Sequence, residues 1–400
     1  MSWKKAKKET EMGMAGVDMK TIEREAADYE SCLRAHRRAL HRIPEAGYQE
    51  YKTHEYLMEH LAKTCPDDLR TFAQTGIRAV FRGNGRGRVV AFRSDMDALP
   101  VTEETGCSFA SGHAGFMHAC GHDGHMANLL AFAQWLCAHR NRLADDVVLL
   151  FQPAEETTGG AKRMIDEGAL ENPHVDVIYG MHMMPDVPKG KVAACAGPLM
   201  AQTCEMDLII NGQAAHGATP HLGHDAVSAM AHLLTLLQTT VARCVDPCQS
   251  ALLTIGRVEA GEQRNILAGH ARMEGIVRTF SNDVYEALEG HIRRDLKAVE
   301  AAFGVSTEFI RRVYYPCVQN DPVEFERVRA LLGERFVQAK PRMVAEDFSY
   351  YQLQVPGVFV FCGCMDERCR SPLHAATFDF DEAALVPGLA LFAGLVSYTD

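Results

Sequence analysis

Apolar residues recur at two spacings along the chain, and the two spacings predict different elements. Recurrence every three or four residues is typical of helices with one buried face. It predicts helices over residues 19–41, 51–61, 123–140, 161–167, 225–244, 282–303, 323–339 and 381–398. Short continuous apolar runs are typical of strands buried on both faces. They predict strands at IRAVF (77–81), RVVAFRS (88–94), VVLLF (147–151), VDVIYG (175–180) and GVFVFCG (357–363).

The glycine-rich segment GNGRG (83–87) separates two of these strands. A phosphate-binding loop would need the spacing G-x-G-x-x-G and a helix directly after it, and this segment has neither. It therefore predicts a hairpin turn between two strands.

The middle of the chain has its own order of predicted elements. Its strands are CEMDLIING (204–212), ALLTIGRVEAG (251–261), ARMEGIVRTFS (271–281) and VSTEFIRRVYY (305–315). One helix follows the first strand and another precedes the last, which is the split βαβ pattern of a ferredoxin-like α+β domain. On both sides of this region, strands alternate with helices, as in an α/β sheet covered by helices. We predict an α/β domain in two parts, 19–200 and 315–400, with an α+β domain inserted at 201–314.

Composition limits the class of protein. With 47% hydrophobic residues in a chain of 400, the protein is too apolar to be disordered. Its formal net charge of −11 argues against nucleic acid as a partner. The longest weakly polar stretch, 383–396, is short and contains Pro387, so we expect no membrane span. The first 20 residues lack the apolar segment of a secretory signal, and the 13 cysteines are scattered, so we expect reduced thiols in the cytoplasm.

Five short segments concentrate side chains of the kinds that bind metals. Each segment lies where a predicted strand ends or a loop begins. They are RSDMDALP (93–100), MHACGHDGHMA (117–127), FQPAEETTGG (151–160), YGMHMMP (179–185) and SPLHAATF (371–378). Ligands of open α/β sheets bind at the carboxyl ends of the strands. The segments are distant in sequence, but we expect them to meet along one edge of the sheet.

The residue types in these segments suit a catalytic metal site. Thiolate, imidazole and carboxylate together suit zinc, and also manganese or cobalt. Cys120 and His122 lie too close together for a structural zinc finger. The adjacent Glu155 and Glu156 fit divided roles, in which one carboxylate binds metal and the other acts as general base on a water. Each residue taken singly also has an ordinary structural interpretation. Cys120 could be a buried thiol, Glu156 could be a solvated surface residue, and Asp97 could cap a turn before Pro100.

Nine stretches of the chain, in this order and spacing, resemble peptidase family M20 in its amidohydrolase branch of aminoacylases, hippurate hydrolases and auxin-conjugate hydrolases. They are RRALHRIPE, RSDMDALP, MHACGHDGHMA, FQPAEE, GAKRMIDEGAL, INGQAAHGATPH, GIVRTF, AEDFSYY and PLHAATFDFDE. The resemblance implies a metallopeptidase-type catalytic domain, a mixed sheet covered by helices, that holds two divalent ions, Zn, Mn or Co. It also implies that the inserted domain is a lid through which the chain forms a homodimer.

The resemblance implies a role for each matching residue of the larger domain. Cys120 matches the thiolate that bridges the two metals. The remaining metal ligands match His122, Glu156, His182 and His374. Glu155 matches the general base, and Asp97 matches the carboxylate that orients a ligand. Other branches of the family have a histidine where this chain has Asp95, so we assign Asp95 no role. Two more residues, Asp123 and His125, either hold ligands in place or pack.

In the inserted domain the resemblance implies three further roles. His216 matches the histidine that stabilises the oxyanion, whereas without the resemblance it fits a turn residue beside Pro220. Asn265 and Arg278 match the pair that holds the free carboxylate of the substrate. The planar guanidinium of arginine offers that anion two parallel donors.

The reaction predicted from these roles is hydrolysis of the amide bond of N-acyl-L-amino acids to a carboxylic acid and a free amino acid. A dipeptidase or carboxypeptidase would use the same metals with a different pocket. A thiol hydrolase with Cys120 as nucleophile would work without metal. A metal-binding or storage protein would not need Glu155 beside Glu156.

Overall fold

The computed structural model describes residues 19–85, 87–367 and 369–396. The chain divides into two units, each with its own hydrophobic core. The larger contains the residues up to Leu199, together with Gln319–Lys340 and those from Asp347 onward. The smaller contains Met200–Val318 and Pro341–Glu346, where the sequence led us to expect 201–314.

The α-helices of the described residues are α1 (Met19–Ala27), α2 (Glu30–His41), α3 (Tyr51–Ala62), α4 (His122–Ala138), α5 (Ala161–Asp166), α6 (Ala226–Cys244), α7 (Asn282–Phe303), α8 (Pro322–Leu332), α9 (Ser349–Gln352) and α10 (Val386–Leu395). The strands are β1 (Asp68–Phe72), β2 (Gly76–Phe81), β3 (Val89–Asp95), β4 (Asp146–Gln152), β5 (Val177–Pro188), β6 (Val192–Ala194), β7 (Gly197–Met200), β8 (Gln202–Asn211), β9 (Ala215–His216), β10 (Ala251–Ala260), β11 (Ile266–Leu267), β12 (His270–Thr279), β13 (Ser306–Tyr315), β14 (Val318–Asn320), β15 (Phe336–Gln338) and β16 (Gly357–Met365).

The larger unit is built on one mixed sheet with the strand order β1-β2-β4-β3-β5-β16-β6-β15. The four adjacent strands β4, β3, β5 and β16 run parallel to their neighbours in this group. Strands β1 and β2, and the pair β2 and β4, are antiparallel. The mixed α/β fold that we predicted is therefore confirmed. The predicted hairpin at 83–87 is wrong, because β4 lies between β2 and β3 in the sheet.

Helices α4 and α10 supply much of the core against this sheet because both are apolar around most of their circumference. Phe92 of β3 contacts Phe132 of α4 and Phe392 of α10, with ring centroids 4.8 Å apart in each pair. This packing fixes the position of α4, whose first residue is His122.

Three predicted helices differ from the structure by an internal break or by more than two residues at an end. The helix expected over 19–41 is divided into α1 and α2 at Asp28 and Tyr29. The helix expected over 323–339 ends at Leu332, because Gly333 takes a positive φ (50°) and the 3-10 turn Gly333–Arg335 leads into β15 beside β6. The helix expected over 381–398 begins as the 3-10 turn Glu382–Leu385, and its α-helical part ends at Leu395. Residues 397 and 398 of this prediction lie outside the described residues.

The smaller unit has the predicted β-α-β-β-α-β order, in which β8, α6, β10, β12, α7 and β13 follow one another. Its antiparallel sheet has the order β10-β12-β8-β13, with β10 and β13 at the edges. Alternate residues of β8, such as Leu208 and Ile210, pack in one core with Leu233 of α6 and Ile292 of α7. Among the described residues, no helix combines the length and the apolarity that crossing a bilayer requires.

Candidate metal centre

The five segments predicted to bind metal all lie in the larger unit, and the structure brings their side chains together. Strand β3 ends at Asp95 and β4 at Gln152, so the chain reaches Asp97 and the glutamate pair just beyond adjacent strand ends. His182 lies within β5, next to β3 in the sheet. The carboxyl ends of the parallel strands thus form the expected edge.

Cys120 lies at the middle of the cluster. Its Sγ is 3.3 Å from His182 Nε2 and 3.3 Å from His374 Nε2. Glu156 Oε1 is 3.3 Å from His374 Nε2 and 3.7 Å from His122 Nε2. The donor atoms of all five residues to which the resemblance assigns metal binding are therefore within a few ångströms of a neighbour in the set. Glu155 belongs to the same cluster, with a donor atom within 4.8 Å of those of His122 and Glu156.

Asp97 holds two parts of this cluster in place. Its carboxylate accepts the backbone N–H groups of Glu155 and Glu156, each at 3.0 Å. Its backbone carbonyl accepts Nδ1–H of His122 at 2.9 Å. Since a carbonyl can only accept, His122 carries its proton on Nδ1 and directs the lone pair of Nε2 into the cluster.

The cluster fits a divalent metal ion. His122 Nε2 and Glu156 Oε1 are buried, and neither makes a well-aligned hydrogen bond among the residues that the structure describes, although the ring of His374 lies close to Glu156 Oε1. Buried polar atoms are nearly always hydrogen-bonded, so such a pair needs another partner, and a cation satisfies both. His182 donates Nδ1–H to the carbonyl of Met183 at 2.7 Å, which leaves its Nε2 free to bind metal. Sulfur, imidazole and carboxylate donors together suit a transition-metal ion such as Zn²⁺.

Charge in the cluster also favours a cation. Burial opposes a charge on His122, but the carboxylates of Asp95, Asp97 and Glu156 outweigh it and raise the pKa of His122 to about 10, so Nε2 takes up a proton unless a metal ion occupies its lone pair. Burial, the nearby His125 and His122 lower the pKa of His182 to about 3, so this imidazole is neutral. Positive charge is therefore stabilised where the ligand atoms meet.

The thiol of Cys120 is a poor nucleophile in this setting. Burial raises its pKa well above the ordinary value, and the negative charges of Glu156 and Glu155 raise it further. A thiol nucleophile needs the opposite shift, because the thiolate is the reactive form. A bound metal cation ionises a thiol outright, so these surroundings favour Cys120 as a ligand over the thiol-hydrolase alternative.

Backbone strain accompanies the cluster. His374 has φ 66° and Ala154, directly before Glu155, has φ 60°, which is unusual for residues other than glycine. Such conformations persist where surrounding bonds hold them, and they concentrate at functional sites. The backbone N–H of His374 donates to the carbonyl of Ala119 at 2.9 Å, which ties its loop to the segment of Cys120.

Two buried residues beside the cluster received no definite role from the sequence. Asp95 Oδ1 accepts Nδ1–H of His125 at 2.7 Å, and Asp95 Oδ2 accepts from Arg93 at 3.0 Å. The only sequence signal for Asp95 was its place at a strand end. His125 lies one turn into α4 on the same face as His122, with ring centroids 5.4 Å apart.

The remaining predicted site residues lie in the smaller unit. His216 of β9 pairs with Ile266 of β11, and the backbone N–H of Gly217 donates to the carbonyl of Asn265 at 2.8 Å. The structure therefore brings His216 and Asn265 side by side. Arg278 lies near the end of β12, opposite Thr203 of β8. Its Nη1 is buried and has no hydrogen-bond partner within the described part of the chain.

Comparisons with known proteins identify the family of this chain. The profile of peptidase family M20/M25/M40 matches residues 91–398. The chain is similar to an N-acetyldiaminopimelate deacetylase of Leuconostoc mesenteroides, with 37% identity over 370 residues that cover 90% of this chain and 95% of that protein.

Two solved structures are also similar. One is a protein of methicillin-resistant Staphylococcus aureus described as an aminohydrolase, with a TM-score of 0.89, 32% identity, and coverage of 94% of this chain and 98% of that one. The other is a dinuclear metal-binding peptidase of family M20 from Bacillus subtilis, with a TM-score of 0.79, 34% identity, and coverage of 92% and 98%. The chain therefore belongs to peptidase family M20/M25/M40 and is a metal-dependent amidohydrolase.

Proposed function

We propose that this chain hydrolyses the amide bond of N-acyl-L-amino acids and releases a carboxylic acid and a free amino acid. The observation that carries the proposal is the turn at Glu155 and Glu156, whose backbone Asp97 holds beside the sulfur and imidazole donors. That turn offers one carboxylate for metal and one for proton transfer. The deacetylase name of the Leuconostoc relative makes N-acetyldiaminopimelate the first substrate to test.

In this proposal Cys120 and four other residues would hold two divalent ions. The other ligands are His122, Glu156, His182 and His374. The ions supply Lewis-acid activation of the acyl carbonyl and of a water molecule. We propose Zn, Mn or Co, because each suits this mixture of sulfur, nitrogen and oxygen donors.

Glu155 takes the proton of the attacking water and passes it to the leaving amine. Its backbone N–H is held by the carboxylate of Asp97, which fixes the point on the turn from which the Glu155 side chain extends. Collapse of the tetrahedral species breaks the C–N bond, and the amine leaves with the proton from Glu155. No covalent enzyme intermediate forms, which is consistent with the raised pKa of the Cys120 thiol, a shift whose largest cause is burial.

The three residues of the smaller unit keep the roles that the resemblance implies. His216 donates a hydrogen bond to the oxyanion, which is a strong contribution in acyl transfer. Asn265 and Arg278 bind the free carboxylate of the substrate. The buried and unpartnered Nη1 of Arg278 supports this assignment.

We further propose a homodimer formed through the smaller unit. Strand β10 lies at an edge of its sheet, and Val258 on that strand is 42% exposed. An open edge with an apolar side chain readily pairs with a second copy. Sedimentation of the purified protein tests this proposal, which a monomer at all assay concentrations would contradict.

The cytoplasm is the location that we propose. All 13 cysteines lie within the described residues and are free thiols. Free thiols in this number suit a reducing compartment.

A substrate panel tests the proposed reaction. Metal-free protein is loaded separately with Zn, Mn and Co and assayed with N-acetyl, N-benzoyl and longer N-acyl amino acids, N-acetyldiaminopimelate and dipeptides. Faster cleavage of an N-acyl amino acid than of any dipeptide supports the proposal. Preference for dipeptides would instead establish a dipeptidase or carboxypeptidase with the same site.

A further inference from the structure

A hydrogen-bonded chain runs from Asp95 to the proposed ligand His182 through residues that the reaction does not use. Asp95 and His125 are both buried. Their bond, from His125 Nδ1–H to Asp95 Oδ1, is 2.7 Å long. Asp95 is itself held by Arg93, which also donates to Asp347 at 2.8 Å. The carboxylate that begins the chain is therefore fixed on both sides.

The other nitrogen of His125 fixes the backbone beside the ligand. The N–H of Met183 donates to His125 Nε2 at 2.8 Å. Strand β3 pairs with β5 only as far as Arg93 opposite Gly180, so Met183 lies beyond the last pair of that ladder. The side chain of His125 thus provides an acceptor where strand pairing with β3 has ended.

These partners determine the protonation of His125. A backbone N–H can only donate, so Nε2 must carry a lone pair, and the single proton is on Nδ1. Both ring nitrogens are then occupied, one by Asp95 and one by Met183. His125 is therefore not a metal ligand, although its ring centroid is only 4.6 Å from that of His182.

The same peptide group orients His182. The carbonyl of Met183 accepts Nδ1–H of His182 at 2.7 Å, and His182 Nε2 then points to Cys120 Sγ at 3.3 Å. We propose that Asp95 and His125 are positioning residues that hold the Met183 peptide and, through it, aim His182 at its metal ion. This proposal rests on the proposed role of His182 as a ligand. Outer partners of metal-bound histidines commonly fix ring orientation, and their loss lowers metal affinity 10- to 100-fold.

Two amide variants test whether the hydrogen bond to Met183, and not only the bulk of the His125 side chain, is required. The amide of His125→Asn occupies the place of Nδ1 and does not reach Met183, whereas the carbonyl of His125→Gln extends to the place of Nε2. His36→Asn is the matched control, because His36 is a buried histidine that contacts Tyr56 at 2.7 Å and Gln134 at 3.0 Å in another part of the unit. Circular dichroism verifies that each variant is folded.

The measurement is the titration of metal-free protein with Co²⁺ against a competing chelator, followed by visible absorption. We expect His125→Asn to lower the affinity for one of the two Co²⁺ ions by about 10- to 100-fold and to change the absorption bands of that ion. His125→Gln keeps the acceptor for Met183 but not the donor to Asp95, so its affinity should lie between those of His125→Asn and the wild type. His36→Asn should not differ from the wild type. Asp95→Asn provides an independent variant, and we expect it to lower the affinity for the same ion.

Two results would overturn the positioning role. One is wild-type affinity for both ions in His125→Asn and in Asp95→Asn, and the other is equal loss in His125→Asn and His125→Gln. His182→Ala separates this outcome from failure of the proposed site. If His182→Ala binds both ions normally, the ligand assignment is wrong, whereas weak binding there with normal binding in His125→Asn overturns the positioning role alone.

Discussion

Glu50 Oε1 accepts the backbone N–H of Ala154 at 3.0 Å, directly before the adjacent glutamates of the site. The second oxygen of Glu50 accepts the hydroxyl of Thr75 at 2.6 Å. Burial raises the pKa of Glu50 to about 7, despite these hydrogen bonds. A buried carboxyl group that titrates near neutral pH therefore supports the turn in which Ala154 has its left-handed conformation.

The Glu50→Gln variant should become increasingly more stable than the wild type as pH rises. The folded state holds the proton of Glu50 up to about pH 7, whereas the unfolded state loses it near the ordinary value of 4.5. Between these values the unfolded state binds fewer protons, so wild-type stability falls with rising pH, by at most about 3 kcal/mol. Glutamine stays neutral and avoids this loss.

Urea denaturation of both proteins from pH 5 to 8 measures this effect. The difference in the free energy of unfolding cancels the pH dependence that the two proteins share. It should grow in favour of Glu50→Gln across this range. A difference that does not vary with pH would show that Glu50 does not titrate there.

Glu155→Gln should abolish turnover and leave metal binding intact. The change removes the general base without altering the backbone N–H that Asp97 accepts. Loss of a general base lowers kcat on the order of 10²- to 10⁴-fold. Elemental analysis should still find two ions in this variant and fewer in the matched Glu156→Gln. Near-normal kcat, or loss of metal from Glu155→Gln, would contradict the division of roles between the two glutamates.

Arg278→Met should discriminate between substrates with and without a free carboxylate. A charge-assisted hydrogen bond is worth roughly 1.5–3 kcal/mol, so KM for an N-acyl amino acid should rise about 10- to 100-fold. The matching amino-acid amide, which lacks the negative charge, should show much less change. Arg272→Met is a control on the same strand, since Arg272 is already paired with Asp207 at 2.9 Å. Equal damage to both substrates would mean that Arg278 has a structural role.

Removal of metal should abolish activity, and alkylation of the loaded enzyme should not. Chelation removes the Lewis acid, and added Zn, Mn or Co should restore turnover. Iodoacetamide should modify the exposed cysteines, which include Cys65, Cys137, Cys244 and Cys248. Cys120 is buried and, in the proposal, bound to metal, so mass spectrometry should find it unmodified. Activity that survives chelation and is lost on alkylation of Cys120 would favour a thiol hydrolase.

The amino-acid pattern by itself determined most elements of this fold. Continuous apolar runs such as VVLLF (147–151) form buried strands, because only the interior of a covered sheet accommodates apolar side chains on both faces. The β-α-β-β-α-β order of the smaller unit also followed from local periodicity. The sequence also identified the candidate site residues, because thiol, imidazole and carboxylate groups concentrate in segments at predicted strand ends, where ligands of α/β sheets bind.

Only the tertiary structure decided which of these groups meet. His374 and Cys120 are 254 positions apart in the chain, yet their donor atoms are 3.3 Å apart. Hydrophobic spacing reports on one element at a time, so it could not show that β4 inserts between β2 and β3, or that Gly333 ends α8. It also could not reveal the bonds of Asp95 to His125 and of Glu50 to Ala154. Both bonds join residues at least 30 positions apart, and they form because burial leaves each carboxylate no water to bind.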